Sequence, residues 1–121
     1  MGCTKKQNSI YKDVKEIARE IIFETKNCAL ITTDSTGNAY VRTMDPFLPD
    51  EKFTIWMATN PRSLKVKQIQ KNSKVTLYYF DSKTTSYVTL QGNATLVDAK
   101  EHKERLWKKE WENFYKNRTT D

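Results

Sequence analysis

The stretch VRTMDPFLPDEKFTIWMATNPRSLK, residues 41–65, is the most informative part of the chain, because it joins two strand-like segments to the start of a short basic helix. Arg42 lies in the first strand pattern. Thr59, Ser63 and Lys65 lie where the second strand gives way to the helix. Hydroxyl groups, cations and the N–H groups of a helix start are the groups that hold phosphate in proteins. This stretch therefore predicts a phosphate-binding corner.

The segments around this stretch predict an α+β protein, a small and mostly antiparallel β-barrel flanked by helices. Apolar residues recur at helical spacing before it, and strand-like runs bounded by turn residues lie on both sides. The first three strands follow one another directly, which favours a meander, and Gly92 indicates a bulge in the last strand. The predicted elements are a helix over about Ser9–Glu24, strands over Cys28–Thr33, Asn38–Met44 and Phe53–Thr59, a helix capped by Ser63 and ended by Asn72, strands over Val75–Phe80 and Ser86–Val97, and a helix over about Lys100–Lys116.

The length of 121 residues suits one domain with a single core. We expect a disordered tail over residues 1–8 and a single domain over residues 9–121. The apolar fraction of 37% is low for a globular protein, and 30% of the residues are charged. Part of the apolar surface is therefore expected to be covered by a partner subunit.

The net charge of +6 suits a phosphorylated ligand, a nucleic acid or an anionic membrane surface. The excess is concentrated between Arg62 and Lys74, a segment without acidic residues. A solvated helix face explains Lys67, Lys71 and Lys74 equally well, so position singles out Lys65 alone. Nucleic-acid binding is not the expected function, because aromatic residues are not interleaved with these lysines.

Residues that carry chemistry are scarce elsewhere in the chain. The single histidine, His102, lies among Lys and Glu residues, where an exposed structural role is expected. Cys3 and Cys28 make neither a disulfide framework nor a zinc pattern, and the three glycines form no nucleotide-binding fingerprint. We therefore predict no metal site and name no catalytic residue. Any redox chemistry must come from a bound cofactor, and a phosphorylated aromatic one fits.

The order of VRTM, FTIWMATNPRSLK, KVTLYYFD and SYVTLQGNATLV resembles the FMN-binding split barrels of the pyridoxamine 5'-phosphate oxidase-like family, most closely the general stress protein 26 subgroup. The similarity spans about Val14 to Trp111. It implies a split β-barrel, FMN as cofactor, a homodimer with flavin at its interface, and a flavin-dependent oxidoreductase acting on an unknown small substrate. The positions that the resemblance assigns to flavin binding are Arg42, Thr43, Met44, Ala58, Thr59, Ser63 and Lys65.

Three positions depart from the pattern of the true oxidases. Leu64 replaces a second phosphate-binding arginine, Tyr87 replaces a flavin-contacting glutamine, and Phe47 replaces a substrate-binding lysine. These departures argue against pyridoxamine phosphate oxidation itself. A flavin-binding or stress-related binding module without turnover is the alternative to an oxidoreductase.

No apolar run approaches the roughly 20 residues that a membrane helix needs. We therefore predict no transmembrane segment and expect a cytoplasmic protein. The start Met1-Gly2-Cys3, followed by polar residues, leaves a second possibility. It would also fit a lipoprotein anchored through Cys3 after loss of a signal peptide.

Overall fold

A computed structural model of the protein describes the backbone of residues 2–97 and the side chains of residues 14–97. The predicted C-terminal helix and His102 lie outside the described residues. The helices and strands are α1 (Gly2–Thr25), β1 (Cys28–Thr33), β2 (Ala39–Met44), α2 (Leu64–Lys71), β3 (Lys74–Asp81) and β4 (Ser86–Asn93).

The four strands form one antiparallel sheet in the order β2-β1-β3-β4. β1 and β2 form the predicted hairpin, with Cys28 opposite Met44 at its open end. The Asp34 carboxylate fixes the connecting turn by accepting hydrogen bonds from the backbone N–H groups of Thr36 and Asn38, both at 2.9 Å. β3 and β4 form a second hairpin, and β1 joins the two hairpins by pairing with β3.

The stretch Phe53–Thr59, predicted as the third strand of a meander, is not assigned to the sheet in the described part of the chain. It lies against the chain just before it. The Phe47 N–H donates to the Trp56 carbonyl at 2.9 Å, and the Asp50 N–H donates to the Thr54 carbonyl at 3.1 Å. The turn at Asp50, where the Phe53 N–H donates to the Asp50 carbonyl at 3.0 Å, pairs this stretch with the loop before it. In the described sheet β1 lies between β2 and β3, so the meander prediction is wrong here.

Three predicted boundaries also differ from the structure. Gly92 pairs with Val75 in an unbroken ladder, so it does not form a bulge in the described sheet, and β4 ends at Asn93, before the predicted Val97. α1 begins at Gly2, ahead of the helix start predicted near Ser9. The disordered tail over residues 1–8 stays a prediction. The extent of the domain, residues 9–121, stays a prediction.

The core lies between α1 and one face of the sheet. Inward positions alternate along β1, as the period of a strand requires. Burying these side chains stabilises the fold by roughly 1.5–3 kcal/mol for each large apolar residue. The central buried cluster consists of Ile22, Cys28, Leu30, Leu77, Tyr79 and Val88.

Arg19 ties α1 to the loop that follows β2. Its guanidinium donates to the backbone carbonyls of Pro49 at 3.4 Å, Asp50 at 2.9 Å and Glu51 at 3.2 Å. It also lies 4.1 Å from the centroid of the Phe53 ring, a cation–π distance. We call this set of contacts the Arg19 cluster.

Candidate functional site at the start of helix α2

α2 begins and ends as predicted, with Ser63 as N-cap and Asn72 as C-cap. The Ser63 hydroxyl makes no hydrogen bond to the helix N–H groups and lies 3.4 Å from the Thr59 hydroxyl. Asn60 shapes the turn between them. Its side-chain oxygen accepts from the Arg62 N–H at 2.9 Å, and its carbonyl accepts from the Ser63 N–H at 3.0 Å. Two hydroxyl groups therefore lie side by side at this helix start.

Lys65 lies in the first turn of α2 and is only 6% exposed. That turn contains no acidic residue. The first N–H groups of a helix have no acceptor within the helix, and the helix dipole gives this end a partial positive charge. The start of α2 thus combines a cation, hydroxyl groups and N–H groups, which are the kinds of group that bind an anion.

Arg42 connects β2 to both β1 and α2. Its Nη1 donates to the Thr32 hydroxyl at 2.7 Å, and to the carbonyls of Tyr40 at 3.1 Å and Leu30 at 3.3 Å. Its Nη2 donates to Gln68 Oε1 at 3.3 Å, and the Thr32 hydroxyl donates to the same oxygen at 2.5 Å. We call Arg42, Thr32 and Gln68 the Arg42 network.

Sequence reasoning misses Thr32 and Gln68, although both carry a signal in the sequence. Thr32 follows Leu30 in the inward alternation of β1 and is fully buried. Gln68 stands three residues after Lys65, which places both on one face of α2, and both are 6% exposed. A polar residue at a predicted buried position indicates a hydrogen-bond partner elsewhere in the fold.

The other predicted positions lie apart from these contacts. Thr43 is exposed on β2, whereas Met44 packs against the core. Ala58 is half-buried before the turn. Among the described residues, the structure brings the Thr59 and Ser63 hydroxyls together and places Lys65 in the first turn of the helix that follows. Arg42 is linked to the same helix through Gln68.

The buried core offers no competing reactive site. Burial raises the pKa of the Cys28 thiol to about 11, so the thiol stays protonated at neutral pH. Burial likewise raises the pKa of Tyr79. Residues 2–97 contain no group of three His, Cys, Asp or Glu side chains that could hold a metal ion. No helix in that range is long and apolar enough to cross a membrane.

The sequence profile of the family described as "Pyridoxamine 5'-phosphate oxidase like" matches residues 12–121. No curated protein matches the sequence. Among solved structures, a protein from Clostridium acetobutylicum related to general stress protein 26 of B. subtilis, of the pyridoxinephosphate oxidase family, is 26% identical with a TM-score of 0.71. That match covers 80% of this chain and 68% of the other.

Two further solved structures share the fold at lower identity. A pyridoxamine 5'-phosphate oxidase-related, FMN binding protein from Nostoc punctiforme is 19% identical with a TM-score of 0.58, covering 80% of this chain and 51% of that one. PhzG from Burkholderia lata, in complex with tetrahydrophenazine-1-carboxylic acid, is 17% identical with a TM-score of 0.61, covering 86% of this chain and 49% of that one. The chain thus spans about half the length of these two proteins.

Proposed function

The chain belongs to the pyridoxamine 5'-phosphate oxidase-like family, and from this premise we propose that it binds FMN with the phosphate at the start of α2. The described residues contribute a four-stranded antiparallel sheet and two helices to the split-barrel fold of that family. A family member from Nostoc punctiforme is described as an FMN binding protein. FMN is accordingly the cofactor that the family favours.

The observation that carries this proposal is a pair of neighbouring hydroxyl groups at one helix start, followed by a buried cation in the first turn of that helix. The Thr59 and Ser63 hydroxyls lie 3.4 Å apart, and Lys65 follows in the first turn of α2. A doubly charged phosphate gains roughly 1.5–3 kcal/mol from each hydrogen bond to a charged partner. The residues present therefore fit the phosphate of FMN, with Arg42 as the second cation.

The other part of the proposed site lies on β2. We assign Thr43 and Met44 to the flavin ring, and Ala58 to the segment leading into the phosphate site. FMN, when bound, supplies hydride or electron transfer. The chain's own residues bind and orient the cofactor, with Arg42 and Lys65 balancing its negative charge.

The proposed activity is that of a flavin-dependent oxidoreductase acting on a small substrate. Pyridoxamine phosphate oxidation is not proposed, because Phe47 and Leu64 supply no cation where the true oxidases use one, and Leu64 is 54% exposed. The second candidate is a flavin-binding module without turnover. The ionisable side chains of the proposed site, Arg42 and Lys65, favour this second candidate. Neither is a carboxylate, an imidazole or a thiol, the groups that would act as proton donors near neutral pH.

We further propose a homodimer with flavin at the subunit interface. The sheet carries an aromatic patch, Tyr78, Phe80 and Tyr87, whose side chains are 36%, 47% and 63% exposed. The Tyr78 and Phe80 rings stack with centroids 6.4 Å apart, and Tyr87 lies 5.8 Å from Tyr78. Exposed aromatic patches of this kind are typical of protein interfaces. A second copy of the chain is the occupant that the family favours.

The first test is to add FMN to the purified, dialysed protein and to measure retained flavin absorbance and molar mass by light scattering. We expect one FMN per chain and a mass twice that of the chain. Lys65→Ala should weaken FMN binding by about tenfold or more, the scale of one lost charge-assisted bond. Lys67→Ala is the matched control, since Lys67 is an exposed lysine of the same helix. A protein that retains no flavin after exposure to saturating FMN would refute the proposal.

A further inference from the structure

We propose that Gln68 is a positioning residue, which holds the Arg42 guanidinium beside α2 for the phosphate of FMN without cancelling its positive charge. This inference rests on the proposed FMN site and names a residue that the family resemblance did not assign. Its basis is the Arg42 network, in which one amide oxygen joins a strand cation to the helix that begins at the phosphate corner.

Two of the three members of the Arg42 network are buried. Thr32 is fully buried and Gln68 is 6% exposed, so water does not compete freely for their polar groups. Buried polar groups are retained where they are hydrogen-bonded, because an unpaired one is costly. Gln68 Oε1 accepts from both Arg42 and Thr32, and the Thr32 hydroxyl in turn accepts from Arg42. Each member therefore limits the orientation of the other two.

Gln68 lies on the same face of α2 as Lys65. It lies three residues after Lys65, close to one helical turn, so the two side chains share the buried face of the helix. A hydrogen bond from Arg42 to Gln68 consequently places the guanidinium against the same face as the Lys65 side chain. The network thus holds Arg42 against the helix face that also carries Lys65, the other cation that we assign to the phosphate.

The acceptor that Gln68 offers to Arg42 is uncharged. An amide oxygen fixes a guanidinium by hydrogen bonding while the arginine keeps its full charge. A carboxylate at the same position would accept the same bonds, but it would form an ion pair with Arg42 and repel a phosphate. A neutral acceptor is therefore the better choice where the arginine must serve an anionic ligand.

The experiment compares FMN with riboflavin, which has the same ring system and lacks the phosphate. Dissociation constants for both ligands are measured by fluorescence titration of the wild type, Gln68→Glu and Gln70→Glu. Gln70→Glu is the matched control, because Gln70 is exposed on the same helix and receives the same charge change. We expect Gln68→Glu to weaken FMN binding by about tenfold and riboflavin binding by less than about twofold. Gln70→Glu should change either constant by less than about threefold.

Two results would overturn the inference while leaving the FMN site in place. One is that Gln68→Glu loses as much affinity for riboflavin as for FMN. The other is that Gln68→Glu and Gln70→Glu lose the same affinity for FMN. A wild type that binds neither ligand would overturn the proposed function and this inference with it. If Gln68→Glu does not fold, Gln68→Met replaces it, since it removes the acceptor without adding charge. Gln68→Met should also weaken FMN more than riboflavin, and the same affinity ratio as in the wild type would refute the inference.

Discussion

Arg19 and Arg42 both connect distant parts of the chain, but they do so with different acceptors. Arg19 donates to three consecutive backbone carbonyls of a loop and stacks on an aromatic ring. Arg42 donates to backbone carbonyls and also to two neutral side chains, one of them on α2. The comparison indicates that the Arg19 cluster fixes a loop, whereas the Arg42 network presents a cation beside a helix start.

Among the substitutions that test this comparison, Arg42→Ala should have the largest effect. We expect FMN affinity to fall by more than about tenfold, because a charge-assisted bond to the phosphate is lost. The free energy of unfolding should also fall by about 1–3 kcal/mol, since Gln68 and Thr32 lose a partner in a buried site. Flavin titration and urea unfolding measure the two quantities. Unchanged FMN affinity would remove Arg42 from the site.

Arg19→Ala tests the other side of the comparison. We expect a loss of about 1–2 kcal/mol of unfolding free energy, because water replaces the guanidinium as the hydrogen-bond donor to the loop carbonyls and the cation–π contact is lost. FMN affinity should stay within about twofold of the wild type. Lys15→Ala, an exposed cation of the same helix, serves as the control. A large loss of FMN affinity in Arg19→Ala alone would break the distinction between the two arginines.

Thr32→Val tests the hydroxyl within the Arg42 network at nearly constant volume. The variant removes one acceptor from Arg42 and one donor from Gln68, so we expect a loss of about 1–2 kcal/mol of unfolding free energy. Urea unfolding measures this loss. FMN affinity should fall more than riboflavin affinity, since the effect acts through the Arg42 charge. An unfolding free energy equal to that of the wild type would indicate that the buried hydroxyl is dispensable.

The smallest effect is expected for Phe53→Leu, which removes the ring beneath Arg19 and keeps an apolar side chain. A cation–π contact contributes about 0.5–1 kcal/mol at a partly exposed position. We expect a stability loss on that scale, measured by urea unfolding, and no change in FMN affinity. In the Arg19→Ala background the same substitution should cost less. Full additivity of the two losses would show that the ring and the guanidinium are energetically independent.

The sequence predicts those elements whose determinants are local. α2 is bounded by Ser63 and Asn72, as predicted, because the turn at Asn60 and the buried positions Val66 and Ile69 lie within a few residues of one another. The β1–β2 hairpin follows likewise from its turn. The stretch Phe53–Thr59 shows the limit of such reasoning, because alternation indicates extended backbone and carries no information about a pairing partner.

The candidate site likewise has one part that is local in the sequence and one part that only the fold assembles. Thr59, Ser63 and Lys65 fall within one short segment, so their proximity is visible in the sequence. Gln68 lies 36 residues from Thr32 and 26 from Arg42, and only the fold brings the three together. Side-chain pairs at such separations leave no local pattern, which is why the Arg42 network was not predicted.

The sheet order has a consequence for the sequence of folding events. The hairpins β1–β2 and β3–β4 each join neighbouring segments, and hairpins of this kind form within about 1–10 µs. The pairing of Leu30 with Leu77 closes a much longer loop, which contains α2 and the proposed phosphate site. We therefore expect both hairpins to precede the closure of this loop. Retention of flavin during refolding would then report the docking of two preformed hairpins and lag behind the appearance of β-structure.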